Sequence, residues 1–357
     1  MRRLRWVVAA GLLVAVGGCA QFSYLGQSVG GHLRLMSAAE PVDKVLSRQD
    51  LAPALREQLA LSQRIRDFAT RELHLPDNNS YRRYADLHRT AAVWNVIAAP
   101  ELSLKAKTWC YPVMGCVAYR GYFDHEAANA YAQALRQEEQ LEVMVGPVPA
   151  YSTLGWSNWF GGDPLLNTFI DYPEGELARM MFHELAHQVA YASDDTTFNE
   201  SFATAVERIG AERWLSANGS AQAREVYERG NRRRLQFRAL TDGYREKLKA
   251  VYDAADSDEA KRAAKARTMA ALREDYARLK TDEWGGYAGY DGWFARANNA
   301  SFALLSAYGE LVPAFEALFE REGQDWPRFY AEAKRLARLP KAERRRELAD
   351  GPVAASK

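Results

Sequence analysis

Two histidines four residues apart, His183 and His187, enclose a glutamate, Glu184, in the sequence FHELAHQ. On a helix, residues four apart lie on one face, so both imidazoles can reach one metal ion while Glu184 stands beside it. Neutral imidazoles bind zinc well, and zinc lowers the pKa of its bound water to about 7, where a carboxylate can take the proton. The pattern predicts a zinc site, with one ion per chain and Glu184 as the general base of a hydrolase. The alternative is a helix with two surface histidines, but the apolar neighbours on both sides weaken it.

A catalytic zinc ion needs a third protein ligand and an open coordination position. Glu200 follows His187 after twelve intervening residues, in the sequence NESFA. If the chain turns and a new helix runs back, Glu200 reaches the level of the histidines, so we expect it to be the third ligand. Glu207 lies two turns further along the same face and is either a partner of a ligand histidine or an unrelated carboxylate. Asp194 and Asp195, in the turn, can orient a ligand or cap the second helix, and capping is the expected role.

The elements that must position these side chains are predicted to be mainly helical, with a small β-sheet. Hydrophobic periodicity indicates a helix from residue 173 to about 191, with Asp171 as its candidate cap, and a second helix over residues 198–215. Aromatic and β-rich runs within residues 108–155 indicate the sheet. Residues 218–282 are charged and alanine-rich, which predicts a long helical hairpin. The expected fold class is therefore α+β.

The N-terminus has the features of an export signal. A basic stretch, MRRLRW, precedes ten apolar residues and then VGGC, which ends at Cys19. This order resembles a bacterial lipoprotein signal, so residues 1–18 are expected to be a signal peptide and Cys19 the lipid-bearing first mature residue. The alternative is an ordinary secretory signal with an incidental cysteine. Ala and Gln follow Cys19, and with no Asp there a Gram-negative cell would place the anchor in the outer membrane, facing the periplasm.

The mature chain is expected to be one catalytic domain, residues 19–340, followed by a flexible tail, residues 341–357. Its two cysteines, Cys110 and Cys116, are predicted to form a disulfide, because an exported protein meets an oxidising compartment. Two buried free thiols are the alternative. The formal net charge of +1 gives no indication of a nucleic-acid partner.

The motifs carry a family resemblance. HELAHQ followed by NESFA resembles the gluzincin aminopeptidases related to thermolysin, whose third ligand is a glutamate in an NEGFA-like segment. The resemblance implies a zincin-like core with His183, His187 and Glu200 as zinc ligands and Glu184 as the base. Other segments are similar to a family of bacterial lipoproteins described as aminopeptidases; they are LPDNNSYRRYA, WNVIAAPELSL, TWCYPVMGCVAYRGYF, AYSTLGW, DTTFNESFA and NNASFALLSAY.

This chain departs from the better-known gluzincin aminopeptidases in two ways. The spacing between its second histidine and Glu200 is shorter, and it has no counterpart of the GxMEN segment that binds the substrate's free amine. Zinc-dependent hydrolysis of a peptide or protein substrate thus has a basis in the residues, whereas aminopeptidase specificity rests on the resemblance. An envelope endopeptidase acting in quality control and a non-catalytic scaffolding lipoprotein are the alternatives.

Supporting groups for the reaction can also be named. The resemblance implies an edge strand that binds the substrate backbone, and VPAYSTLGW is the candidate because its prolines leave ladder positions open. The oxyanion of the reaction needs a hydrogen-bond donor, and each candidate is otherwise a packing or loop aromatic. The candidates are Tyr151, Tyr191, Tyr287 and Tyr290. Asn298 and Asn299 are expected to cap a helix rather than bind substrate.

Overall fold

The computed structural model describes residue 24 and residues 26–111, 115–150, 162–306 and 310–350. Most of these residues are helical and a few short strands form small sheets, so the predicted combination of mainly α structure with a small β component is confirmed. Within the described ranges no helix combines the length and the apolar character needed to cross a bilayer.

The helices follow one another along the chain with the strands between them. They are α1 (26–38), α2 (Val42–Leu46), α3 (Pro53–Arg71), α4 (His125–Glu138), α5 (Glu174–Ala186), α6 (Thr196–Asn218), α7 (Ala221–Asp253), α8 (Asp258–Asp282), α9 (Asp291–Arg296), α10 (Asn299–Ser306), α11 (Val312–Arg321), α12 (Trp326–Ala337) and α13 (Lys341–Asp350). The strands are β1 (Glu40–Pro41), β2 (Arg83–Ala85), β3 (Val93–Pro100), β4 (Trp109–Tyr111), β5 (Gly115–Val117), β6 (Arg120–Tyr122), β7 (Leu141–Val148) and β8 (Leu165–Leu166).

The strands form three small sheets. The largest is antiparallel with the order β6-β3-β7, and the register pairs Val96 with Val145. A second has the order β1-β2-β8, in which β2 and β8 are parallel, and β4 pairs with β5 as a hairpin. The central strand β3 lies outside the range predicted for the sheet, residues 108–155. It is a short, largely buried apolar run, which periodicity alone cannot assign to a strand.

The helix that carries the HExxH motif is shorter than predicted. α5 ends at Ala186 rather than near Tyr191, and its first turn is preceded by Pro173 without any side-chain cap, so Asp171 does not cap it. Directly after Ala186 the backbone forms tighter turns, in which Gln188 donates to the Leu185 carbonyl and Val189 to the Ala186 carbonyl. Further on, the Asn199 amide accepts from the Ala192 N–H and donates to the Ala192 carbonyl, which removes the Ala192 backbone groups from any continuing helix.

The predicted helical hairpin is present as α7 and α8. Ser220 and Ser257 cap the two helices, each by accepting a hydrogen bond from a backbone N–H three residues on. The two helices pack through a core of their own, which also includes aromatic side chains from residues 284–302. Its buried members on the hairpin are Phe237, Tyr244, Leu248, Met269, Leu272 and Tyr276.

The C-terminal segment is more ordered than the flexible tail expected over residues 341–357. Residues 341–350 form α13, in which Leu348 is fully buried and the Arg344 side chain is 3% exposed. Arg344 donates hydrogen bonds to the carbonyls of Leu336 and Leu339 and forms an ion pair with Asp195. Chain termini are often poorly ordered, but these contacts hold α13 against the rest of the chain.

Candidate metal centre

The two helices that carry the predicted ligands, α5 and α6, pack directly against each other. Phe182 on α5 and Phe198 and Phe202 on α6 are fully buried. Gly210 allows the close approach, because a Cβ atom at this position of α6 would lie 2.9 Å from the Phe182 ring. Side chains on the facing surfaces of the two helices can therefore meet.

The three predicted ligands do meet between α5 and α6. The Nε2 atoms of His183 and His187 are 3.2 Å apart. Oε2 of Glu200 lies 3.4 Å from Nε2 of His183 and 3.8 Å from Nε2 of His187. In the described part of the chain, these three residues form the group of His, Cys, Asp or Glu side chains that could hold a metal ion.

The spacing of these atoms fits a small metal ion. By the three distances, the point in the plane of the three atoms that is equidistant from them lies about 2.0 Å from each, so the atoms are close enough together for zinc–nitrogen and zinc–oxygen bonds of that length. Two imidazoles and one glutamate are also a donor set used by catalytic zinc sites. The donor atoms present therefore fit zinc.

A carboxylate behind the centre orients one of the histidines. Oε2 of Glu207 lies 2.9 Å from Nδ1 of His183, which leaves Nε2 directed toward His187 and Glu200. Glu207 was expected to be either a partner of a ligand histidine or an unrelated carboxylate, and the structure shows it in contact with His183, a predicted ligand. The other histidine differs, since the buried Nδ1 of His187 has no hydrogen-bond partner among the described residues.

Charges around the centre favour a cation. Burial alone would raise the pKa of Glu207, but Arg179 and His183 together lower it to about 2. Burial would likewise raise the pKa of Glu200, and the neighbouring imidazoles lower it overall. Burial lowers the pKa of His187 to about 4, so this imidazole is neutral at pH 7, the state in which it can bind a metal. Burial would lower the pKa of His183, but its contacts with Glu200 and Glu207 raise it well above its usual value, so a bound metal would have to displace the proton from this imidazole. The centre thus combines ionised carboxylates with one neutral imidazole, His187.

Glu184 and two tyrosines, Tyr119 and Tyr191, interact electrostatically with residues of this centre. Glu184 is half-buried and follows His183 in the chain, and its charge adds to the effect of burial in raising the pKa of Tyr81 and of Tyr119. Burial, followed by the charge of Glu200, raises the pKa of Tyr119 and of Tyr191. Both hydroxyls therefore remain protonated at neutral pH and can donate hydrogen bonds.

The tyrosines predicted as oxyanion donors have different locations. Tyr191 has a pKa raised by burial and then by the charge of Glu200, and its side chain is 37% exposed. Tyr287 and Tyr290 lie instead beside the hairpin, where the Tyr290 ring stacks on Phe237. Tyr151 and most of VPAYSTLGW lie outside the described residues.

Tyr119 was not among the predicted donors. It follows the β4–β5 hairpin and packs against a small cluster of Ile97, Ala99 and Ala300. The only sequence signal for it was its position within TWCYPVMGCVAYRGYF, one of the segments that carry the family resemblance.

The remaining polar residues have mainly structural roles. Asp195 caps α6 by accepting from the Phe198 N–H, as expected, while Asp194 pairs with Arg344 of α13. The Asn298 side chain accepts from the Ser301 N–H at the start of α10, whereas Asn299 donates to the carbonyls of residues 100 and 101 rather than capping.

The predicted disulfide is present in the structure. Cys110 and Cys116 are joined by an S–S bond across the β4–β5 hairpin, so the alternative of two buried free thiols is wrong. Both residues are exposed. Cys19 lies outside the described residues, so its lipidation stays a prediction.

Comparison with known proteins adds a family to this geometry. A family model described as "Putative aminopeptidase" matches residues 23–348. No curated protein and no solved structure matches the chain. The family match contains every residue of the candidate centre and spans nearly all of the described structure. The chain therefore belongs to this aminopeptidase family.

Proposed function

We propose that the protein is a zinc-dependent peptidase of the bacterial cell envelope that removes residues from the N-terminus of peptides. Family membership indicates peptide hydrolysis. The observation that carries the zinc dependence is the convergence of two imidazole nitrogens and one carboxylate oxygen within 3.8 Å of one another. Such a donor set leaves a coordination position open, which a structural zinc site with four protein ligands does not.

The residues around the centre support a direct attack of water on the peptide carbonyl. Zinc bound to His183, His187 and Glu200 would supply a Lewis acid and lower the pKa of water. In the HExxH pattern the glutamate between the two histidines is the general base, so Glu184 would accept a proton from the attacking water and pass it to the leaving amine. Tyr119 and Tyr191, protonated at neutral pH, are the available donors for the oxyanion.

The metal is tested by elemental analysis of the purified protein. We expect about one zinc per chain in the wild type, in line with the one candidate centre found among the described residues. The double substitution His183→Ala and His187→Ala is expected to remove it, because one carboxylate is too few ligands for a site. Zinc retained by a folded double variant would show that the ion is bound elsewhere.

The role of Glu184 is tested by Glu184→Gln. We expect hydrolysis to fall by about 10²–10⁴-fold, the contribution of a general base, while the zinc content stays unchanged. A matched control is Glu174→Gln in the first turn of α5, where the amide oxygen can still accept from Trp214 Nε1. This control should keep wild-type turnover, and unchanged turnover of Glu184→Gln would exclude that residue as the base.

Aminopeptidase action is supported by the family and is tested with a peptide library read by mass spectrometry. Loss of single residues from the N-terminus is expected, and N-terminal acetylation of the same peptides should protect them. Internal cuts, or cleavage that acetylation does not affect, would show an endopeptidase.

The envelope location is supported by two separate features. The basic and apolar N-terminal segment ends at Cys19, and the exposed Cys110–Cys116 disulfide suits an oxidising compartment. Metabolic labelling with a palmitate analogue should mark the wild type and not Cys19→Ala. Equal labelling of both proteins would exclude Cys19 as the lipid-bearing residue.

A further inference from the structure

A chain of charged side chains runs from the predicted ligand His183 away from the centre. Glu207 uses one carboxylate oxygen for Nδ1 of His183 and the other for the Arg179 guanidinium. The Arg179 and Glu207 side chains are only 17% and 9% exposed. Glu207 is therefore held between an imidazole and a guanidinium, and its position depends on both.

The chain continues from Arg179 to the hairpin. Nη1 of Arg179 donates to Oε2 of Glu176 at 3.1 Å. Nη1 of Arg234, on α7, donates to both oxygens of Glu176, at 2.7 and 2.9 Å. Glu176, Arg179 and His183 all lie on α5, at intervals of three and four residues, so they share one face of the helix. Positive and negative charges alternate at each step from α7 to His183.

The backbone holds α7 close enough for this chain to form. A Cβ atom on Gly175 would lie 2.7 Å from the Tyr227 ring of α7, and one on Gly230 would lie 3.3 Å from Oε1 of Glu176. Tyr227 is itself buried. Larger residues at these two positions would therefore separate α5 from α7 or displace Glu176.

Charged contacts also join the hairpin to the sheet formed by β6, β3 and β7. Lys265 of α8 forms an ion pair with Glu142 of β7 and donates to the carbonyl of Glu101 at 2.8 Å. Arg262 pairs with the Glu101 carboxylate at 2.8 Å. The hairpin is thus attached both to the sheet and to the helix of the metal centre, so Arg234 is presented to Glu176 from a fixed support.

We propose that Arg179, Glu176 and Arg234 are positioning residues through which the hairpin sets the metal affinity of the centre. Without Arg234, Glu176 loses its partner on α7 and competes more strongly for Arg179. Arg179 then holds Glu207 less firmly, and the orientation of His183 is less well defined. Partners behind a metal ligand commonly change metal affinity by about 10–100-fold when they are removed. The inference rests on the metal site of the proposed function.

The test compares two neighbouring arginines of α7. Arg234→Gln removes the contact with Glu176, while Arg233→Gln makes the same charge change at a residue whose guanidinium lies 4.1 Å from the centre of the Tyr287 ring. We expect zinc affinity, measured by competition with a chromophoric chelator, to fall about tenfold in Arg234→Gln and to stay unchanged in Arg233→Gln. The absorption spectrum of the cobalt-substituted protein should change in the first variant alone.

A rescue variant separates positioning from loss of folding. Both bonds to Glu176 come from the single nitrogen Nη1, so an ammonium group can replace them, and Arg234→Lys should restore most of the zinc affinity. Equal affinities in Arg234→Gln and Arg233→Gln, with zinc bound in the wild type, would overturn the inference and leave the zinc site intact. If the wild type bound no zinc, the proposed function itself would fail.

Discussion

The buried carboxylate of Asp195 links the C-terminal helix to the helix that carries Glu200. Its side chain is fully buried and caps α6 through the Phe198 N–H. It accepts from Nη2 and Nε of Arg345 at 2.9 and 3.1 Å, and from Nη1 of Arg344 at 3.3 Å. Replacing Asp195 by Asn keeps the shape and the cap but removes the charge, so it isolates the ionic part of the contact.

The contacts allow the loss of stability to be estimated. Removing one partner from a buried ion pair costs about 3–5 kcal/mol. Arg345 is 29% exposed and can turn to water, while Arg344 keeps Asp194 and several carbonyls, so the lower end applies. We expect Asp195→Asn to lower the free energy of unfolding by about 3 kcal/mol. Asp195→Ala should cost roughly 1 kcal/mol more, because the cap is also lost.

Urea unfolding followed by tryptophan fluorescence measures these differences, with Asp194→Asn as the matched control. Asp194 is 55% exposed and contributes one ion pair, to Arg344, so the same substitution there should cost less than about 1 kcal/mol. The reasoning would be refuted if Asp195→Asn were as mild as Asp194→Asn, since α13 would then not be held through the buried charge. Limited proteolysis near residue 340 should be faster in the Asp195 variants.

Three further changes follow from the same structure. Burial would raise the pKa of Asp195, but the hydrogen bond from Arg345 lowers it overall. The ionised carboxylate therefore stabilises the folded protein above about pH 4, and this contribution is lost as the pH falls through the folded-state pKa. The difference in unfolding free energy between the wild type and Asp195→Asn should shrink in that acidic range. Gly175→Ala should destabilise by about 1–3 kcal/mol in thermal unfolding because its Cβ meets an aromatic ring, whereas Gly243→Ala, which meets nothing within 4 Å, should stabilise slightly. Replacing Cys110 and Cys116 by serine should cost about 2 kcal/mol, and a reductant should have the same effect on the wild type and none on the variant.

The parts of the candidate centre that depend only on the periodicity of a helix could be predicted from the sequence. The spacing of His183 and His187 on one helix face follows from helical geometry, and Glu200 and Glu207 share a face of α6 for the same reason. The hairpin was also predictable, because its charged, alanine-rich sequence favours helix over a long window. In both cases the residue types and their spacing along the helix are enough to predict the structure that is observed.

The parts that were missed depend on contacts between distant segments. Arg234 is 51 residues from His183 and is one of many arginines on a charged helix, so nothing local distinguished it from Arg233. Tyr119 follows a short disulfide hairpin, and its packing against Ile97, Ala99 and Ala300 depends on segments far away in the chain. α13 was expected to be part of a flexible tail because chain termini are often poorly ordered, yet Arg344 is buried among carbonyls and aspartates. The type of a residue does not indicate which distant segment of the chain it will contact in the folded protein.

The short interval between His187 and Glu200 is one of the two features in which this sequence departs from better-known gluzincin aminopeptidases. The structure gives a physical reason why twelve intervening residues are enough. α5 stops at Ala186 and is followed by one short turn, in which Val189 and Ala190 donate to the Ala186 carbonyl, and α6 already begins at Thr196. Asn199 closes the turn on Ala192, and Asp195 caps α6, so the reversal needs no longer loop. Glu200 then lies five residues past the cap, level with both imidazoles, and the short interval is therefore compatible with a single metal centre.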